Sequence, residues 1–104
     1  MNEQIGILLV EDDPVWRTML TKFLNCEPDL KVLHAVATKE ETLAYCSRHN
    51  VDIVLMDLNL TEKNLDGIEA TLELSLMAHP PKVIALTSLD QENVILDAFT
   101  AGAI

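Results

Sequence analysis

At 104 residues and 49% hydrophobic composition the chain is one domain with room for a core, which argues against disorder. Seventeen acidic residues against seven basic ones leave a formal net charge of −10, which repels phosphate backbones. Direct nucleic-acid binding by this segment is therefore disfavoured, and a cation is the better partner.

Apolar runs are too short to span a bilayer, and no signal peptide opens the chain, so a cytoplasmic protein is expected. Cys26 and Cys46 form no CxxC and have no His at ligand spacing. Zinc is not expected, and both thiols are expected to be reduced. His34, His49 and His79 stand apart in sequence and offer no catalytic constellation.

Taken in order, Ile5-Gly6-Ile7-Leu8-Leu9-Val10 is a first apolar run closed by Glu11-Asp12-Asp13. Asp13 is placed to cap a helix whose first turn holds Pro14. Val15, Met19, Leu20, Phe23 and Leu24 carry that helix at its own spacing to about Asn25, with Trp16 beside the stripe as a packing residue. Glu27-Pro28-Asp29 breaks it, and Lys31–Val36 alternates as an edge strand. Thr38 with Glu41 three residues on forms a capping box, starting a helix that runs to about Arg48.

The central stretch follows: Ile53 to Met56 are four apolar residues that stop at the carboxylate of Asp57. Such a run reads as a strand buried on both faces of a parallel sheet. A polar loop runs from Asn59 to Asp66 and is closed by Gly67. Ile68, Leu72 and Leu76 mark a helix stopped by Pro80-Pro81. Lys82-Val83-Ile84-Ala85-Leu86 is a fourth strand ending in Thr87-Ser88, and Val94, Ile95, Ala98 and Phe99 mark a last helix up to Gly102.

Strand then helix, four times over, predicts a doubly wound α/β sheet with right-handed crossovers and helices on both faces. A sheet that ended at Val83–Leu86 would leave a hydrophobic edge. One further strand and helix are therefore expected beyond Ile104, and a chain without them is expected to pair edges or aggregate.

Three strands end in polar residues of a related kind: Glu11-Asp12, Asp57, and Thr87-Ser88. Parallel strands bring all of them to one rim, where open α/β sheets bind ligands. Carboxylates crowded there raise one another's pKa unless a cation joins them. Hard oxygen ligands with vacant positions suit Mg²⁺. A metal-held carboxylate beside a hydroxyl makes a site for phosphoryl transfer.

On these residues the chain resembles the receiver domains of bacterial two-component response regulators, with the flavodoxin- or CheY-like fold. The likeness rests on Ile7–Pro14, Val54–Leu60, Asp66-Gly67, Ala85–Ser88 and Ala101-Gly102-Ala103, and it covers essentially residues 1–104. It implies strand order 2-1-3-4, with the family's fifth strand and last helix missing after Ile104.

The resemblance also implies roles. Asp57 would be the phosphoacceptor, Asp12 the direct ligand of Mg²⁺ (or Mn²⁺), and Glu11 a ligand acting mainly through water. Asn59 would offer its backbone carbonyl, Thr87 the switch hydroxyl, and Ser88 a small side chain beside the phosphate. The implied partners are a sensor histidine kinase and a C-terminal DNA-binding output domain of helix-turn-helix type, with homodimerisation open. A receiver of this kind is a phosphoacceptor rather than an ordinary enzyme.

The loop after Asp57 is longer than the common form, with Thr61 where proline is usual. The family's lysine has no counterpart before Ile104. Two alternatives stand beside this reading. One is a phosphorylation-independent pseudo-receiver that only binds partners. The other is a haloacid-dehalogenase-like phosphatase, from the similarity of Asp57-Leu58-Asn59-Leu60-Thr61 to DxDxT, although Asn59 replaces the acid such enzymes need.

Overall fold

The structure, a computed structural model, describes residues 3–57 and 65–86. Their elements are β1 (Ile5–Val10), α1 (Pro14–Asn25), β2 (Leu30–Val36), α2 (Lys39–Arg48), β3 (Ile53–Asp57), α3 (Leu65–Ser75) and β4 (Lys82–Leu86). All pairings are parallel, in the order β2-β1-β3-β4. This is the doubly wound, flavodoxin-like order expected from the sequence. The helix expected around residues 94–102 lies outside the described residues. No helix among those described is long and apolar enough to cross a membrane.

The starts of three strands are pinned by one residue. Asp52 accepts the Gly6 N–H on its Oδ2 at 2.8 Å and donates its own N–H to the Gly6 carbonyl at 3.0 Å. Its carbonyl accepts from Lys82 N at 3.1 Å, which leads into β4. Between Ile7 and Leu8 the β1–β2 register slips, leaving Leu33 as the extra residue of a bulge in β2. Gly6 makes room for it: a Cβ there would stand 2.8 Å from Leu33 Cδ1.

The larger part of the core lies on one face of the sheet, while Ile7 and Leu9 are buried on the other. Leu8, Val10, Val54, Met56 and Val83 point toward α2 and α3, where Ala70 and Leu74 meet them with Leu43, Cys46 and Met77 at the margin. Thr42 and Thr71 are also buried there. Each returns its hydroxyl to a backbone carbonyl one turn back, Thr38 at 2.7 Å and Gly67 at 2.8 Å, so neither hydroxyl is stranded. Lys39 joins the two helices at their surface, 3.2 Å from Glu69 and 3.5 Å from Glu73.

Three expectations are corrected here. The buried stripe of α3 is not Ile68, Leu72 and Leu76. Leu72 and Leu76 are exposed, and Gly67, Ala70, Thr71 and Leu74 face inward. Small residues on that stripe let the helix axis approach the sheet, which the Leu spacing alone could not reveal. Gly67 accordingly sits in the first turns of α3, not at the end of the loop before it.

β3 is also not equally buried on its two faces, since Val54 and Met56 are sealed while Ile53 and Leu55 are only partly buried. Among the described residues the reason is α1, which packs over β1 and β2 and not over β3 and β4, where Ile84 and Leu86 are also exposed. The third correction follows from the second. α1 has no buried residue: Val15, Trp16, Met19 and Phe23 are all more than half exposed, and of its apolar side chains Leu20 and Leu24 turn partly inward. The apolar band of α1 is wider than the two strands beneath it.

The capping signals hold. Asp13 Oδ1 accepts from Val15 N (2.9 Å) and Trp16 N (3.3 Å), and Thr38 Oγ1 accepts from Glu41 N (3.1 Å). Among the described residues the histidines join no cluster of carboxylates or thiols. The rings of His34 and His49 instead stack on either side of Tyr45, at 5.2 and 4.1 Å between centroids. Both cysteines are free, and burial pushes the Cys46 thiol up to about 11, which keeps it protonated.

Candidate metal site

Register decides what meets at the rim. Val10 of β1 pairs with Met56 of β3, so the residues that follow, Glu11 and Asp57, fall side by side. Glu11 extends the sheet by one step, donating its N–H to the Val36 carbonyl at 2.9 Å. Asp12 comes next, before Asp13 is taken up as the cap of α1. Glu11, Asp12 and Asp57 thus place one carboxylate oxygen each within 4.8 Å of one another. They span the range from buried Glu11 through half-buried Asp57 to exposed Asp12.

The electrostatics follow from that crowding. Burial pushes the Glu11 carboxyl up from 4.5 to about 8, and the facing Asp57 and then Asp12 add to the shift. Two facing carboxylates share a hydrogen bond only when one holds a proton, so the metal-free cluster keeps a proton near neutral pH. Glu11 Oε2 is buried and has no hydrogen-bond partner among the described residues. A buried acceptor left in this way is costly.

Three carboxylates, one of them with an orphaned oxygen, and their excess negative charge fit a small divalent cation. The same charge would be poorly matched to an anionic ligand without one. Of the residues expected at the site, the fold brings Glu11, Asp12 and Asp57 together, while Asn59, Thr87 and Ser88 lie outside the described residues. β4 does run to Leu86, opposite Asp57, so its end stands at the same rim.

One partner of the site was not anticipated. Arg17 Nη1 donates to the Glu11 carbonyl at 2.9 Å. Its i+6 spacing from Glu11 belongs to no helix or strand period, so only the turn between β1 and α1 brings the two together. A cavity of about 780 Å³ lies at the opposite end of the strands, lined among others by Arg48, His49, Asp52, His79 and Lys82. It stands where α2 and α3 end, and its cations suit the negative ends of those helices.

Comparison with known proteins agrees with this geometry. The response regulator receiver domain family matches residues 7–104. The transcriptional regulatory protein LiaR of Bacillus subtilis is 32% identical over 100 residues, which are 96% of this chain and 46% of that protein. A protein-glutamate methylesterase/protein-glutamine glutaminase of Nitrosospira multiformis is 35% identical over 102 residues, 96% of this chain and 28% of that protein. The chain thus spans less than half the length of these curated relatives.

Among solved structures, the receiver domain of a sensor histidine kinase from Pseudomonas aeruginosa PAO1 superposes with a TM-score of 0.80 at 30% identity. The match covers 96% of this chain and 80% of that one, and that structure holds a magnesium ion coordinated in its active site cleft. Strand order, an acidic triad at the carboxyl rim and a match across nearly the whole chain agree: this is a member of the response regulator receiver domain family.

Proposed function

We propose that the chain accepts a phosphoryl group from a sensor histidine kinase onto Asp57, in a Mg²⁺-dependent reaction, and switches an output. The observation that carries this reading is the position of Asp57. Its carboxylate ends the central strand β3 and lies within 4.8 Å of the ligand oxygens of Glu11 and Asp12.

Asp12 and Asp57, with Glu11 beside them, would hold the ion, and Asn59 would add its backbone carbonyl. When bound, Mg²⁺ supplies positive charge against the equatorial oxygens of the transferring phosphoryl group. Asp57 acts as nucleophile: one of its oxygens forms the new P–O bond as the P–N bond to the kinase histidine breaks. For this it must be ionised, and the carboxyl whose proton burial favours is the neighbouring Glu11. Thr87 serves as the hydroxyl that turns toward the phosphoryl group, and Ser88 leaves space beside it.

The output is transcription through a DNA-binding domain outside these residues, as the LiaR likeness favours, and the setting is the cytoplasm. The methylesterase relative makes a catalytic output the second reading. Phosphorylation-driven homodimerisation is compatible with either.

Incubation with a small-molecule phosphodonor and Mg²⁺, followed by intact mass, tests the proposal. One phosphoryl adduct is expected on the native chain and none on Asp57→Asn. No adduct points to a pseudo-receiver, rapid phosphate release without an adduct to a phosphatase, and labelling of Asp57→Asn to a different acceptor.

A further inference from the structure

We infer that Arg17 is a positioning residue for the acidic site, locking the Glu11–Asp12 peptide and so setting where the Asp12 carboxylate points; this rests on the metal reading above. Arg17 grips the β1–α1 turn at two points. Its backbone N–H donates to the Asp13 carbonyl at 2.8 Å, and its Nη1 donates to the Glu11 carbonyl at 2.9 Å. The two acceptors flank Asp12.

The other side of the Glu11 backbone is held as well, by its N–H to Val36 O at 2.9 Å. With both ends of Glu11 tied, the peptide that leads into Asp12 has one orientation. Asp12 is exposed, and its carboxylate meets the Glu11 carboxyl, which hangs from the same tethered backbone. The direction of that backbone therefore sets where both point.

Arg17 is itself anchored. It is half-buried, and its carbonyl accepts the Thr21 hydroxyl at 2.7 Å. Among the described residues its guanidinium makes no ion pair. Holding a carbonyl is thus the contact it makes there. A lysine would keep the charge but not the planar fork that reaches back at this angle.

The test uses the full chain with ¹⁵N labelling and MgCl₂ as the probe. In Mg²⁺-free buffer, Arg17→Ala should move the ¹⁵N resonance of Asp12 upfield, because the Glu11 carbonyl bonded to that nitrogen loses its donor. Mg²⁺ affinity, read from the amide shifts, should fall about tenfold, the low end of losses seen when groups that orient metal ligands are removed. Arg17→Lys should recover little of either. Thr18→Val removes the hydroxyl's hydrogen bond to the Pro14 carbonyl in the same helix without touching Arg17, and should leave both readouts in place.

An unmoved Asp12 resonance, or native Mg²⁺ affinity in Arg17→Ala, overturns the positioning role. Full recovery by Arg17→Lys also overturns it, since charge alone would then suffice. Failure of the native chain to bind Mg²⁺ overturns the metal reading instead, and the metal-free Asp12 resonance still decides whether Arg17 holds the peptide.

Discussion

Glu11→Gln separates the cost of the acidic cluster from its use. In the folded, metal-free chain Glu11 titrates near 8 instead of 4.5. Between those values the folded state keeps a proton that the unfolded chain has released. The unfolded state binds fewer protons, so stability falls as pH rises through this window, by at most about 1.4 kcal/mol per pH unit. Below 4.5 the penalty is absent, and above 8 it is constant.

The full shift would amount to roughly 5 kcal/mol, but the cluster sits at a solvent-facing rim where effective dielectric is high. About 2 kcal/mol between pH 5 and 8 is expected, on the order of a 10 °C fall in melting temperature for a domain of this size. Melting curves at pH 5, 6, 7 and 8 in EDTA, on the native chain and on Glu11→Gln, measure it. The variant should lose most of the slope and be the more stable of the two at pH 8. Excess Mg²⁺ should reverse the ranking, adding about 2.7 kcal/mol to the native chain at a hundred times Kd. Parallel pH profiles for the two chains would refute the assignment of the buried proton to this cluster.

Asp12→Ala should raise the melting temperature in EDTA by relieving repulsion and lose most of the response to Mg²⁺; an undiminished response would remove Asp12 from the site. Leu74→Ala, in the sealed core, should cost about 2–5 kcal/mol in urea unfolding, whereas Phe23→Gln, 71% exposed on α1, should stay within about 0.5 kcal/mol. Equal losses would mean that the α1 face is covered. Asp52→Ala strips the Gly6 N–H of its acceptor and should cost about 1–3 kcal/mol, with Asp52→Asn recovering part of it; a neutral Asp52→Ala would deny the tie between β1 and β3.

Much of this was open to reading before any coordinates. Strands announce themselves when apolar residues run together, and Ile53–Met56 and Ile5–Val10 did so. The acidic site was legible because parallel strands place their ends together, which turns residues 46 apart in number, Glu11 and Asp57, into neighbours. Caps were legible because Asp13 and Thr38 act on backbone groups two or three residues away.

What stayed hidden depends on distance and shape. The inward stripe of α3 is chosen by how near small residues let the helix come, and the Leu72–Leu76 pattern reports only that apolar residues recur. Likewise α1 advertises one broad apolar band, and nothing in its spacing tells which part faces the sheet. The Arg17–Glu11 contact and the His34–Tyr45–His49 stack arise from a turn and from a helix meeting an edge strand, for which sequence has no period.

The unequal covering of the two sheet faces sets an order of events in time. Amide protons of β1 and β3 are shielded by α2 and α3 and can exchange only when the molecule opens as a whole. Those of α1, a helix with no buried side chain, escape through a smaller and more frequent excursion. Yet α1 is capped by Asp13 and carries Arg17, and these two hold the turn containing Asp12. Each such excursion therefore dissolves the cation site while the sheet stays intact. Occupancy of the site by a cation would then be written most clearly in the slowed hydrogen exchange of a helix that supplies none of its ligands.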